Sequence, residues 1–243
     1  MNRCVAHRGA SGEAPENTLA AMRRAMDYEF VQWIELDVQL SSDGIPVVIH
    51  DDTLNRTTNS RGPVKSFTAA ELQQADAGRW FGRSFSGERI PLLEEVLEAT
   101  AGRCRLNVEL KTYNGRYPGL EERTVELLYK HRLEHDTVIT SFDESALRKV
   151  RALSNGIRTG LITEKRTGQL VQKLRELEAQ FLSIHYRQIT PQSMLEFREA
   201  GLEVMAWTVD DAAEMRRLAA ISPDLMLCTN YPARYAAAFN YSL

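Results

Sequence analysis

Residues 202–229, LEVMAWTVDDAAEMRRLAAISPDLMLCT, hold one structural unit in unbroken form. Leu202 to Thr208 has the composition of a buried strand. Asp211 to Ala220 has apolar residues at helical spacing, and Leu225 to Thr229 is a second apolar run of strand length. A strand, a helix and a strand joined by short connections form a βαβ unit, and repeated units of this kind predict a parallel sheet. Working back along the chain, strand patterns centre near residues 183, 160, 139, 107, 36 and 5, with helical patterns between them. Together with those near 205 and 227, that makes eight strands. Eight parallel strands with intervening helices predict an α/β fold of the TIM (β/α)₈ barrel type, with an open doubly wound sheet as the alternative topology. The 243 residues suit a single barrel domain spanning 1–243.

The rhythm is interrupted twice. Ile34 to Asp52, IELDVQLSSDGIPVVIHDD, reads as a strand, an Asp43-Gly44 turn and a returning strand that carries His50. Leu40 opposite Ile45 would set Asp37 against Val48 and Glu35 against His50. Residues 52–90 then form a polar, turn-rich stretch, read as a small insertion with one short helix near residues 69–75. Trp80, Phe81 and Phe85 are expected to pack it onto the body; rimming a pocket is the alternative.

Composition narrows the function classes. Hydrophobic residues make up 43% and charged residues 26%, as in a globular protein with a sizeable core, and the net charge of −3 offers no basic field for nucleic acid. No apolar run is long enough for stable membrane insertion. The N-terminus shows no signal-peptide pattern, and three cysteines without metal-ligand spacing read as small buried thiols, so the expected compartment is cytoplasmic. No Walker loop and no G-x-S-x-G elbow occurs.

In a barrel, chemistry collects at the C-terminal ends of strands. His7 and Arg8 end the first strand, Glu35 and Asp37 lie late in the second, and Glu109 and Lys111 end the third. Period-2 spacing puts Glu35 and Asp37 on one face, though that spacing alone equally suits the polar side of an edge strand. With Glu109 they make a three-carboxylate set suited to one hard divalent ion, Mg²⁺ or Ca²⁺, rather than zinc. Arg8 and Lys111 beside such an ion describe a phosphoryl site; a plain salt bridge from Lys111 to Glu109 or Glu35 is the competing reading. His7 and His50, one taking a proton and one giving it, fit general acid/base cleavage of a phosphodiester.

The same residues carry a resemblance. His7-Arg8-Gly9, Pro15-Glu16-Asn17-Thr18, IELDV at 34–38, DGIPVVIHD at 43–51, Arg56-Thr57-Thr58, ERIPLLEEVL at 88–97 and NVELK at 107–111 resemble the glycerophosphodiester phosphodiesterase family. The likeness continues more thinly through Ser141-Phe142, Ser183-Ile184-His185, AWTV at 206–209 and the final Thr229-x-x-Pro232. It implies a TIM barrel that hydrolyses a small-molecule glycerophosphodiester to an alcohol and sn-glycerol 3-phosphate. It further implies His7 and His50 as the acid/base pair, Glu35, Asp37 and Glu109 as metal ligands, and Arg8 and Lys111 as phosphate contacts. Glu16 is implied as a support and Trp207 as an apolar wall. In the mechanism the family implies, the glycerol 2-hydroxyl attacks phosphorus and water opens the resulting cyclic phosphate. Two residues depart from the usual pattern: Asp210 stands where Asn is common after WTV, and Asn230 where Asp is common before x-Pro. Both lie outside the metal and proton-transfer set, so the departures bear on details of glycerol recognition and not on the reaction class. The alternatives are a lysophospholipase D-type lipid phosphodiesterase on the same core, and a barrel that binds phosphodiesters without cleaving them.

Overall fold

Eight parallel strands close into a ring in the computed structural model, which describes residues 2–241. They are β1 (Arg3–His7), β2 (Val31–Leu40), β4 (Arg105–Leu110), β5 (Thr137–Ser141), β6 (Arg158–Thr163), β7 (Phe181–His185), β8 (Glu203–Trp207) and β9 (Met226–Thr229). Each pairs with its neighbours in parallel, and β1 joins both β9 and β2, so the ring closes and the doubly wound alternative is excluded. All eight expected strands are present.

A ninth strand, β3 (Pro46–Val48), runs antiparallel to β2. It uses the edge of β2 that extends beyond β1, since β1 pairs with β2 only as far as Glu35 and β3 pairs with it from Val38 to Leu40. The register differs from the expected one by a residue: Leu40 faces Pro46 and Val38 faces Val48. The cause is a five-residue turn. Ser41 N–H donates to the Ile45 carbonyl at 3.0 Å, while Ile45 N–H donates back to the Ser41 hydroxyl at 3.0 Å. β3 also stops at Val48, so His50 lies just past the strand and not within it.

Helices lie outside the ring, and their starts follow from local chemistry. Thr18 caps the helix Leu19–Met26 and Asp143 caps the helix Glu144–Leu153, while Thr190 with Pro191 opens the helix Pro191–Glu199. The main core fills the layer between helices and barrel wall with residues such as Met22, Leu36, Val108, Leu147, Leu182 and Leu218. Inside the ring, Val5, Trp33, Val138, Phe181, Met205 and Met226 make a second apolar plug. Gly160 makes room for it, because a Cβ there would lie 2.8 Å from the Cβ of Phe181.

Period-2 alternation carries the inward faces of β1 and β2 from apolar at the bottom to polar at the top, while that of β4 is polar from Asn107 onward. Val5 is followed by His7, Trp33 by Glu35 and Asp37, and Asn107 by Glu109 and Lys111. The plug closes the bottom, so polar groups gather at the C-terminal mouth.

Residues 52–90 have a small apolar nucleus of their own, made with Val47 and Ile49 from Leu54, Val64, Leu72, Ala75, Ala77 and Ile90. The short helix covers only Ala69–Leu72, fixed by a Thr68/Glu71 capping box. Trp80 and Phe85 each meet Phe81 in a T-shaped, edge-to-face contact, with Trp80 41% exposed. They neither belong to that nucleus nor rim the cavity at the barrel mouth.

Candidate active site

A cavity of about 230 Å³ opens at the C-terminal mouth, lined on one side by His7, Arg8, Glu35, His50, Glu109 and Lys111. Phe142, Ile162, Glu164, Met205 and Trp207 form the opposite wall. Trp207 is held edge-on to Phe142 and His185, with ring centroids 6.1 and 5.7 Å away.

Glu35, Asp37 and Glu109 come from two neighbouring strands, β2 and β4, with Asp37 directly beside Glu109 in the register. All three are buried, and each offers a carboxylate oxygen within 4.8 Å of the others. Lys111 reaches Glu109 at 2.6 Å and Asp37 at 3.1 Å, so its ion pairs go to Glu109 and Asp37, not Glu35. The Nε of Arg8 lies 3.2 Å from Asp37, and its backbone N–H donates to Glu35 at 3.0 Å. Arg8 makes that backbone contact from the left-handed conformation, at φ 56°. Asn17, also left-handed, donates its carboxamide N–H to Asp37 at 2.7 Å.

Two cations facing three acids leave a deficit of positive charge, and protonation energetics register it. Burial first, and then the neighbouring Asp37 and Glu109, push the Glu35 carboxyl well above the usual range. Burial likewise raises Glu109 to about 7 despite Lys111. Burial works against Asp37 too, but Lys111 and Arg8 together hold it well below the ordinary carboxylate range. Asp37 Oδ1 and Glu109 Oε1 are buried without a directed hydrogen bond and are met only by the Lys111 ion pairs. Clustered hard oxygens with spare lone pairs and insufficient countercharge fit a divalent cation such as Mg²⁺ or Ca²⁺.

The imidazoles flank this group. His7 Nε2 is 3.8 Å from Glu35, while its Nδ1 lies 2.7 Å from Asn230. Burial and then Arg8 lower the His7 pKa to about 4, leaving the ring neutral near pH 7. His50 reaches the cavity because the chain leaves the ladder after Val48. The Gln39 carboxamide lies 2.9, 2.9 and 2.7 Å from the carbonyls of Ile49, His50 and Asp51, and the Tyr113 hydroxyl donates to the His50 carbonyl at 2.6 Å. Tyr117 in turn donates to the Gln39 carbonyl at 2.6 Å.

A family profile described as "Glycerophosphoryl diester phosphodiesterase family" matches residues 7–234, which takes in every one of these side chains. The chain belongs to this family. It is 40% identical over 215 residues to a glycerophosphodiester phosphodiesterase of Caldanaerobacter subterraneus, covering 88% of each chain. A Bacillus subtilis glycerophosphodiester phosphodiesterase is 34% identical, over 88% of this chain and 78% of that one. Among solved structures, an Oleispira antarctica phosphodiesterase in complex with the product sn-glycerol-3-phosphate superposes with a TM-score of 0.92. That protein is 34% identical, with coverage of 99% and 97%. A glycerophosphodiester phosphodiesterase from Agrobacterium tumefaciens gives 0.84 at 33% identity, covering 98% of this chain and all of that one (100%).

Within the glycerophosphoryl diester phosphodiesterase site, Glu16 accepts from Arg8 at 2.7 Å and from Arg56 at 2.7 and 2.8 Å. Arg56 also clamps Asp51 at 2.8 Å, and Asp51 lies 2.7 Å from His50 Nδ1. A chain of charged contacts thus runs from His50 through Asp51, Arg56 and Glu16 to Arg8, with Arg56 supplied by the insertion. Sequence reasoning placed no role on Asp51, Arg56, Asn17 or Gln39. Adjacency to His50 and the Arg56-Thr57-Thr58 motif were the available signals for the first two. Asp210 and Asn230, the two departures from the usual pattern, contact each other, and Asn230 contacts His7.

Proposed function

We propose that the chain hydrolyses glycerophosphodiesters to an alcohol and sn-glycerol 3-phosphate, using one divalent cation and two histidines as proton carriers. Glu35, Asp37 and Glu109 would hold the cation. The observation carrying this reading is the convergence of three buried, undercompensated carboxylates, two of them lining one cavity with both imidazoles. The product complex of the Oleispira relative supports glycerol 3-phosphate as the retained half of the substrate.

When bound, the cation supplies Lewis-acid charge for a phosphate oxygen and the neighbouring hydroxyl. Arg8 and Lys111, both in the cavity wall, meet the remaining phosphate charge. His7, neutral and with Nε2 toward Glu35, takes the proton of the glycerol 2-hydroxyl as its oxygen forms a bond to phosphorus. His50, whose pKa burial lowers while Asp37 and the Asp51 contact at Nδ1 draw it back toward the imidazolium, gives its proton to the departing alkoxide as the P–O bond to the alcohol breaks. The roles then reverse. Neutral His50 takes a proton from water, whose oxygen attacks the cyclic phosphate, and His7 returns its proton to the glycerol 2-oxygen as the bond from that oxygen to phosphorus breaks. Trp207 would form an apolar wall for the glycerol or its leaving group. Because Arg56 reaches the site from residues 52–90, the insertion and barrel act as one catalytic unit on this reading.

The decisive test is a panel of glycerophosphodiesters and lysophospholipids assayed with Mg²⁺, Ca²⁺ or Mn²⁺, followed by chelation. Release of glycerol 3-phosphate from glycerophosphocholine or glycerophosphoethanolamine, abolished by chelator, is the expected result. Turnover of lysophospholipids alone would move the chain to the lipid-phosphodiesterase reading, and no turnover of any substrate would leave only a binding role.

A further inference from the structure

A hydrogen-bonded pair behind His7 decides which nitrogen of that ring faces the cavity. Asp210 lies three residues past β8, and Asn230 directly follows β9. A bond from Val209 N–H to the Cys228 carbonyl, at 2.8 Å, holds the two segments together. One Asp210 oxygen accepts from the Asn230 backbone N–H at 2.8 Å and from the Thr229 hydroxyl at 3.0 Å. The other lies 2.7 Å from the Asn230 carboxamide nitrogen.

A carboxylate accepts and cannot donate, so it must meet the NH₂ end of Asn230. The Asn230 carbonyl oxygen is thereby turned toward His7 Nδ1, 2.7 Å away. The Ser11 hydroxyl, 2.8 Å from that oxygen and 2.7 Å from the His7 carbonyl, can satisfy either end of the carboxamide. Asp210 alone therefore sets the orientation. An acceptor at that point requires a proton on Nδ1, which leaves the lone pair of a neutral ring on Nε2, the nitrogen nearest Glu35.

We propose that Asp210 is a positioning residue, acting through Asn230 to hold His7 in the Nδ1–H tautomer. Asp210 and Asn230 form a matched pair that can be exchanged together but not singly. In D210N, the new carboxamide must keep its oxygen on the Asn230 backbone N–H, so its NH₂ group faces that of Asn230. Asn230 escapes the clash of donors only by turning over, which aims its own NH₂ at His7 Nδ1 and moves the ring proton to Nε2. In N230D two carboxylates oppose each other. In the double variant D210N/N230D, the residue 210 carboxamide donates to the residue 230 carboxylate, whose second oxygen again accepts from His7.

The test uses the Mg²⁺-loaded, full-length protein labelled with ¹⁵N-histidine, with the tautomer read from long-range ¹H–¹⁵N spectra and turnover measured on glycerophosphocholine. Expected are Nδ1–H for His7 in the wild type and Nε2–H in D210N. In D210N kcat should fall by about tenfold or more with little change in KM. The double variant should regain the Nδ1–H form and most of kcat, and N230D should fall below it. A wild type in the Nε2–H form, or a D210N variant that keeps both tautomer and kcat, overturns the positioning role. A double variant no better than D210N, or one that fails to fold, overturns the exchange. The kinetic arm rests on His7 acting as the base, but the tautomer does not. A wild type inactive on every substrate yet in the Nδ1–H form would therefore sink the proposed chemistry and leave this assignment standing.

Discussion

Replacing Glu109 with glutamine should stabilise the cation-free protein at alkaline pH and leave it unchanged at acid pH. Burial raises the Glu109 carboxyl from an ordinary 4.5 to about 7. A carboxyl whose folded pKa lies above its unfolded one contributes stability that is complete below pH 4.5. That contribution is lost as pH rises through about 7, because ionisation then favours the unfolded chain. At about 1.4 kcal/mol per pKa unit, the loss is about 3 kcal/mol by pH 8. The E109Q side chain is neutral at every pH and nearly isosteric with the one it replaces, so it escapes that loss. In chelator, the two proteins should therefore differ by less than about 1 kcal/mol in urea melts at pH 5, while at pH 8 E109Q should be the more stable by about 3 kcal/mol. A bound cation reverses the balance: at a free concentration 100 times its Kd it stabilises the wild type by about 2.7 kcal/mol, which closes the gap. The reasoning is refuted if the difference between E109Q and wild type in chelator is the same at pH 5 and pH 8.

Three further outcomes are expected. His7→Ala and His50→Ala should each lower kcat by about 10²-fold or more in a continuous glycerol 3-phosphate assay; normal turnover by either variant removes that residue from proton transfer. Glu35→Ala should weaken cation binding measured by calorimetry, with loss of activity that excess cation partly restores, whereas an unchanged binding isotherm would exclude Glu35 as a ligand. Gly160→Ala should cost about 1–3 kcal/mol in urea unfolding, because the added methyl meets Phe181 inside the barrel; a stability equal to wild type would mean the plug can shift aside.

The ring of eight strands was legible because each strand is a short apolar run separated from the next by a helix with its own start signal. Inward-facing positions were legible for the same reason: Trp33, Glu35 and Asp37 alternate at period two, and nothing in β2 breaks that count before Leu40. The hairpin register was not legible. It depends on Ser41 closing the turn with its own hydroxyl, and on Asp43 accepting from Ala69 N–H at 2.9 Å, a contact between residues 26 apart in sequence. His50 was assigned to the correct cavity through the wrong pairing. The actual route, a strand that stops early and carbonyls gathered by Gln39, has no local sequence signature. Asn230 was noticed only as a departure from pattern, since its contact with His7 spans 223 residues of chain.

The insertion has a private apolar nucleus, and the strand it follows, β3, leans on the overhang of β2, outside the closed ring. Its length can therefore drift, or be grafted from a relative, without disturbing barrel closure, provided that a guanidinium still arrives where Arg56 bridges Glu16 and Asp51. That requirement gives anyone recombining such loops one charged anchor to preserve at the mouth of the barrel.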